Sequence, residues 1–323
     1  MTANTVTFVI PHKGREEMLK DTLMSIAQQE YPVASMEIIL VSQNTEVSEA
    51  LREACGNVPF KVLFAEPEHT ISASRNRGAQ VAGGDYLAFL DADIHLSRNW
   101  LTACMKILTE RPGTKLVSAM QIPSDAPTPL EHIRVALSNA EVDCAVDFLP
   151  GRNLLLAKDT FYQAGQFPEH LITCEDYYFT DKVNQLGELF YTSAAQYIHI
   201  GEDKQLGAMF EKEIWRGQSN LASVKDRRIP LREWPSFIVP LAIPACVLAG
   251  LVSLIAGFPL FAVLCLVAAG LPVLAYSTRL YKLVRPNTSL IEVIKFYCVY
   301  FPARAVGTLG GIIKTFGTSS YGK

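Results

Sequence analysis

Two pairs of acidic residues carry the chemistry open to this sequence. The first closes an apolar run in GGDYLAFLDADIHL, residues 83–96, where Asp91 and Asp93 stand one residue apart. Side chains at i and i+2 of an extended segment point the same way. Both carboxylates can therefore converge outside a buried strand. Hard oxygen ligands of this kind suit Mg or Mn, and Mg is commonly held by one or two carboxylates plus substrate phosphates. The competing reading is a turn, since Asp often bonds its own backbone there. The second pair, Glu175 and Asp176, opens the segment EDYYFTDKVNQLG, residues 175–187. An acid at a helix start is favoured by the helix dipole. It is also a general base if a hydroxyl proton lies within hydrogen-bond reach.

These pairs need elements to position them. β-rich runs at 5–11, 36–41, 60–64, 85–91 and 115–120 alternate with helical patterns at 15–29, 72–83 and 98–110. Leu19, Leu23 and Ile26 share one helical face. Strands apolar on both faces and separated by helices predict an α/β fold with a mostly parallel sheet covered by helices. Ligands bind such sheets at the carboxyl ends of the strands, where Asp91 and Asp93 fall. Residues 121–150 hold four prolines and no clear period, apart from a helix predicted at 128–139. Long irregular segments of this kind are commonly functional, and this one is expected to wall an acceptor site.

The C-terminal part differs in kind. Residues 235–277 contain no charged residue. A helical span needs about 20 apolar residues, so a two-helix hairpin is predicted over 236–277, broken at Gly257-Phe258-Pro259. Arg227, Arg228 and Arg232 precede it, and Arg279, Lys282 and Arg285 follow it. This asymmetry places both ends at the cytoplasmic face. Residues 289–316 are apolar but interrupted by Lys295, Pro302 and Arg304. They are expected to form interfacial helices, with a third span as the alternative. The boundaries implied are a cytosolic domain at 1–226 and a membrane domain at 227–323.

Charge and cysteine usage agree with that division. Residues 235–323 carry seven Lys/Arg against one acid, Glu292, which leaves residues 1–234 with 22 basic and 31 acidic residues. A front domain this acidic is a poor candidate for general nucleic-acid binding. The basic tail suits anionic membrane lipids. Seven scattered cysteines without CxxC spacing predict reduced thiols and a cytosolic catalytic part. The N-terminal MTANTVTFVIP does not read as a signal peptide.

Three stretches in order resemble the family-2 glycosyltransferases of the glycosyltransferase-A fold. They are TFVIPHKGREEMLKDTLMSIAQQEYP (7–32), SASRNRGAQVAGGDYLAFLDADI (72–94) and GRNLLLAKDTFYQAGQFPEHLITCEDYYFTDKVNQLG (151–187). The likeness covers about residues 5–200. It implies that Asp93 is a metal ligand and that Asp91 reaches the ribose or the metal's water shell. It implies that Pro11 and His12 line the nucleobase pocket and that Arg75 contacts the nucleotide. Asp176 becomes the base of an inverting transfer, with Glu175 orienting it or touching the acceptor. Some relatives use a late histidine as a further metal ligand. His199 fits that place, against a plain structural histidine.

One departure concerns the donor. Where the family has an acidic stretch after the second strand, this chain has LVSQNT (40–45), so Ser42, Gln43 or Asn44 would hydrogen-bond a base edge without charge. The Gln-x-x-Arg-Trp motif of processive synthases is missing; Trp215-Arg216-Gly217-Gln218 stands near its place. A single addition is therefore expected. Arg216 reads equally as a diphosphate contact or a lipid-headgroup anchor.

The expectation is a metal-dependent inverting glycosyltransferase of the inner or plasma membrane, resembling those of bacterial exopolysaccharide and cell-envelope assembly. It would use a UDP-sugar as first-choice donor and a polyprenyl-linked saccharide as acceptor. The alternatives are a polyprenyl-phosphate sugar synthase and a catalytically idle nucleotide-binding scaffold.

Overall fold

The structure, a computed structural model, describes residues 4–218, 231 and 234–317. Arg227, Arg228 and Arg232, and the expected boundary at 226, lie outside the described residues. The chain divides into two compact units, residues 1–125 with 138–201, and residues 126–137 with 202–323.

The first unit is built on a nine-stranded sheet. Its first half runs β1 (Val6–His12), β2 (Met36–Ser42), β3 (Phe60–Phe64) and β4 (Tyr86–Leu90), all parallel, in the spatial order β3-β2-β1-β4. The crossovers carry α1 (Glu17–Ala27), α2 (Glu49–Ala54) and α3 (Ile71–Val81). Alternation along β1 fills two cores. Val6, Phe8 and Ile10 pack with Leu19, Leu23 and Ile26 of α1, while Val9 packs on the other face with Ala79 of α3. Gly78 lets α3 sit on that face. A Cβ there would meet Cγ1 of Val9 and lie 3.3 Å from Cγ2 of Val41. Gly78→Ala should cost about 1–3 kcal/mol by overpacking, read as a lower unfolding midpoint.

Beyond β4 the sheet becomes mixed. β5 (Ile94–Leu96), α4 (Trp100–Glu110), β6 (Thr114–Ile122), α5 (Pro129–Ser138), β7 (Cys144–Val146), β8 (Asn153–Ala157), α6 (Lys158–Gln163), α7 (Glu175–Asn184) and β9 (Glu188–His199) follow. β8 runs antiparallel to both β4 and β6, β6 runs parallel to β9, and β5 and β7 pair antiparallel with β9. The described sheet thus has parallel ladders in its first half and a mixed second half. Buried Asn153 anchors the junction. Its Oδ1 accepts from Trp100 Nε1 at 3.1 Å and from Ala119 N at 2.9 Å.

The second unit consists of α8 (Leu206–Gly217), α9 (Trp234–Ile255), α10 (Pro259–Val284) and α11 (Leu290–Gly317), together with most of α5. Leu130 and Ile133 of α5 share a core with Met209, Ile243, Leu280, Val293 and Phe296. The division falls at 201–202 because α5 and α8 bury their apolar faces on the long helices. α9 and α10 match the expected hairpin, and Gly257, at φ +82°, makes the break. Residues 289–316, expected as interfacial helices with a third span as the alternative, are not divided into two helices. They form one continuous helix through Pro302. α8 and α11 cross at glycines: a Cβ on Gly217 would lie 2.9 Å from Gly307 Cα, and one on Gly307 would meet the Ile214 carbonyl. That contact braces the helix along its length. α9, α10 and residues 290–313 of α11 are each long and apolar enough to cross a membrane. The shortest, at 22 residues, rises about 33 Å against a hydrocarbon core of about 30 Å. All seven cysteines are free.

Candidate active site

The carboxyl ends of β1, β2 and β4, the start of β8 and the start of α7 bring the acidic pairs together. Arg75 on α3 is the hub. Its Nη1 donates to Glu175 Oε1 at 2.9 Å, and its Nη2 donates to Asp91 Oδ1 at 2.8 Å and to the Gly151 carbonyl at 3.2 Å. The guanidinium lies 5.0 Å from the Phe167 ring centroid. Arg75 is 1% exposed. It was expected to contact the nucleotide, but its fork is taken up inside the protein. It is a positioning residue that fixes two carboxylates. A Cβ on Gly151 would come within 2.9 Å of that fork, so glycine is required there.

Asp176 sits beside this hub. Its Oδ2 accepts from Gly151 N at 3.1 Å and its Oδ1 from Tyr177 N at 2.7 Å. Gly151 thus grips both machines, with its carbonyl on Arg75 and its N–H on Asp176. Cys174 holds φ +63° immediately before α7, a conformation costly for a side chain and concentrated at functional sites. Burial pushes the Glu175 carboxyl up to about 7; the charge of Asp176 adds to the rise and Arg75 opposes it. The folded state therefore keeps a proton that the unfolded chain releases near the ordinary Glu value. Its stability contribution is full below that value and is lost as pH rises toward 7. Gln imitates the protonated form. Glu175→Gln should gain roughly 1–3 kcal/mol on the wild type between about pH 5 and about pH 8, read from paired unfolding midpoints.

The pairing of β5 with β9 decides where Asp93 lies. Ile94 pairs with His199, and His199 Nε2 stands 3.2 Å from Asp93 Oδ2. Gly201 approaches the same carboxylate so closely that a Cβ on it would strike Asp93 Oδ2. Gly201→Ala should rotate Asp93 out of place. Activity should fall at least about tenfold, because small misplacements at a reacting centre are costly, with little change in the unfolding midpoint.

Asp93 and His199 are thus adjacent, whereas Asp91 turns one oxygen to Arg75. Among the described residues no group of three or more His, Cys, Asp or Glu side chains is arranged to hold a metal ion by itself. A cation here would take Asp93 and His199 and complete its shell from phosphate and water, which fits the way Mg and Mn are commonly bound. The electrostatics also fit. Arg75 pairs with Asp91 and Glu175, and Asp93 and Asp176 add two further carboxylates to the site.

The ends of β1 and β2 form a braced floor. His12 Nδ1 accepts from Ser42 Oγ at 3.0 Å, and its Nε2 faces the Arg15 carbonyl at 3.2 Å, which assigns the proton to Nε2. Burial pulls the imidazole below its ordinary value, so it is neutral at pH 7. Ser42 is fully buried and also accepts from Asn44 N at 3.1 Å. It was expected to meet a base edge; instead it holds His12. Pro11 is buried beside it, paired with Val41. Asn44 ties down the backbone of Gly14 with two bonds, at 2.8 and 2.9 Å. Of the non-acidic stretch, Gln43 keeps a buried Oε1 without a hydrogen-bond partner among the described residues. Sequence reasoning passed over Gly151, Asn153 and Gly201. The sequence carries no signal for the two glycines, since Gly151 lies 24 residues before Glu175 and Gly201 lies 108 residues after Asp93.

Residues 7–140 match the family described as Glycosyl transferase family 2. The glycosyltransferase AglE of Haloferax volcanii is 24% identical over 70% of this chain and 76% of its own. The glucosyl-dolichyl phosphate glucuronosyltransferase of the same organism is 26% identical over 34% of this chain and 35% of its own. The mannosyltransferase PcManGT from Pyrobaculum calidifontis, solved with GDP-Man and Mn2+, superposes with a TM-score of 0.66 at 17% identity, covering 95% of this chain and 88% of that one. The first unit has the glycosyltransferase-A fold, its residues 7–140 match the family-2 glycosyltransferase model, and apolar helices long enough to cross a membrane follow. The chain is a nucleotide-sugar-dependent enzyme.

Proposed function

We propose that this glycosyltransferase moves one sugar, with inversion and with the help of a divalent cation, from a nucleotide-sugar to a lipid-linked saccharide. The observation that carries the reading is the placement of Asp176. It is gripped by the Gly151 N–H, and its neighbour Glu175 shares the Arg75 fork with Asp91, the first carboxylate of the DAD segment.

The acceptor hydroxyl approaches Asp176, which takes its proton as the oxygen attacks the anomeric carbon. The bond from that carbon to the diphosphate oxygen breaks, and the nucleoside diphosphate leaves. With one base and one displacement, the configuration inverts. Glu175 and Arg75 hold Asp176 and Asp91 in place. Asp93 and His199 would hold Mg or Mn, which when bound neutralises the charge on the leaving diphosphate. The place of Asp93 beside His199 supports the cation, as does the Mn2+ in the structure of PcManGT. Pro11 and His12 would floor the nucleobase pocket, with Gln43 offering an uncharged acceptor; UDP- and GDP-sugars both suit such an edge.

The acceptor reading rests on the three apolar helices and on the relative named for glucosyl-dolichyl phosphate. A saccharide on a polyprenyl tail stays in the bilayer, so the enzyme must stay with it. The basic residues that flank the hairpin in the sequence support a cytoplasmic catalytic unit.

The test is transfer by the full chain in nanodiscs from UDP-, GDP- and dTDP-sugars to lipid-linked mono- and disaccharides. The anomeric configuration of the product would be read by NMR. One sugar added with inversion is expected. Retention, or processive addition, would overturn the reading.

A further inference from the structure

Beside the acidic pairs, the catalytic unit carries two aromatic rings that the transfer step does not use. Phe148 stands three residues before Gly151, whose N–H grips Asp176 at 3.1 Å. Tyr177 follows Asp176 directly, and its own N–H donates to Asp176 Oδ1 at 2.7 Å. The two rings meet with centroids 5.4 Å apart and planes at 51°. Each ring is thus tied by its own stretch of backbone to the carboxylate proposed as the base.

The packing around them holds the rings in that place. Leu149 is 1% exposed and shares a core with Phe179 and Val183 of α7. It ties the β7–β8 connection to the helix that begins with Glu175 and Asp176. Phe148, its neighbour in the chain, lies outside that core and is 38% exposed, while Tyr177 is half-buried. A single exposed phenylalanine is ordinary. This one packs on a second ring, next to a centre built of carboxylates and a guanidinium. It also belongs to the stretch 121–150, expected from the sequence to wall an acceptor site.

Carboxylates and a guanidinium can hydrogen-bond the hydroxyls of a sugar, but they offer nothing to its C–H face. The face of an aromatic ring is electron-rich and attracts the weakly positive hydrogens of C–H bonds. Small-molecule sites commonly join such an apolar wall to a few placed polar groups. A sugar ring lying on the wall would hold its hydroxyl at a fixed distance from the base, where small misplacements are costly. A lipid phosphate has no C–H face to lay on the rings.

We propose that Phe148 and Tyr177 form the acceptor subsite, on which the terminal sugar ring of the acceptor lays its C–H face and so presents its hydroxyl to Asp176. The subsite rests on the saccharide acceptor and on the role of Asp176 argued above. Phe148, the more exposed ring, supplies most of the contact.

The test compares Phe148→Leu with Phe148→Tyr in the full chain. Leucine keeps an apolar side chain against Tyr177 and removes the ring; tyrosine keeps the ring. Geranyl diphosphate, bare or carrying glucose, galactose, mannose or N-acetylglucosamine, is titrated calorimetrically with Mn and either UDP or GDP present. At least one sugar-bearing lipid should bind at least about tenfold more tightly than the bare lipid. Phe148→Leu should weaken that lipid by roughly three- to tenfold, the scale of one stacked aromatic contact, and Phe148→Tyr should retain it. Tyr177→Leu reads the same effect from the other ring and decides the matter if Phe148→Leu lowers the unfolding midpoint. Equal binding of bare and sugar-bearing lipids overturns the proposal. So does a sugar preference that survives both leucine variants, or one that Phe148→Tyr loses as fully as Phe148→Leu. The rings would then only pack the β7–β8 connection on α7. Donor assays on the same samples separate the two ideas. Metal-dependent donor cleavage with sugar binding blind to both rings would leave the transferase mechanism and sink this subsite. A ring-dependent sugar preference in a chain whose Asp176→Asn variant transfers normally would sink the base and leave the subsite standing.

Discussion

Asp176→Asn is expected to lower kcat by about 10²–10⁴-fold, the usual contribution of a positioned general base, while nucleotide affinity stays within a factor of about two. The substitution is nearly isosteric. The asparagine oxygen can still accept the Gly151 N–H that Asp176 accepts at 3.1 Å, while its amide nitrogen gives up the bond from Tyr177 N at 2.7 Å. Basicity is lost at the cost of one local hydrogen bond. A purely structural role at the α7 start predicts the opposite pattern, a lower unfolding midpoint with activity per folded molecule unchanged. The variant also separates the two acceptor chemistries. A lipid phosphate is already ionised and needs no base, so a polyprenyl-phosphate sugar synthase would tolerate the change. A hydroxyl acceptor would not. Steady-state kinetics with lipid-linked acceptor, alongside titration of the donor nucleotide, gives both readouts.

Asp93→Ala is expected to reduce kcat/KM by at least about 10²-fold and to abolish the dependence of nucleotide affinity on Mn or Mg. Losing a group that merely supports a metal ligand costs about 10–100-fold, and Asp93 would be a ligand itself. The prediction rests on its place beside His199 Nε2, at 3.2 Å, and under Gly201. His199→Ala should give the same pattern with a smaller effect if its imidazole shares the cation. If it is only structural, metal dependence should survive. Calorimetric titration of nucleoside diphosphate with and without metal distinguishes these cases. A variant that binds equally well under both conditions would return the DAD carboxylates to a turn.

Much of the catalytic unit is legible in its sequence. β1 through β4 and α3 announce themselves as apolar runs alternating with helical periods, and their bounds fall within a few residues of the expected ones. The acidic pairs stand where the runs end. What could not be read is set by contacts between distant residues. β5 has three residues and no period of its own; only its pairing with β9 gives it form and brings Asp93 to His199. Arg75, in SRNRG, is expected from the family resemblance to contact the nucleotide. It is buried because Asp91, Glu175 and Gly151, far along the chain, close around its fork. Ser42 has the composition of a base contact, yet Asn44 and His12 claim its hydroxyl first. In the second unit, Pro302 and two charges read as breaks in a helix. Packing of Gly307 on α8 and pairing of Arg304 with Glu213 override that local signal.

A single donor-processing centre, built from the DAD segment and the Glu175-Asp176 pair, should cleave a nucleotide-sugar slowly even without acceptor. The most direct measurement is slow hydrolysis of nucleotide-sugars by the detergent-purified chain, screened over UDP-, GDP- and dTDP-sugars with Mn or Mg. The account predicts metal-dependent release of one nucleoside diphosphate, strongly reduced by Asp93→Ala and by Asp176→Asn. Release that needs no metal, or that survives both substitutions, would contradict it.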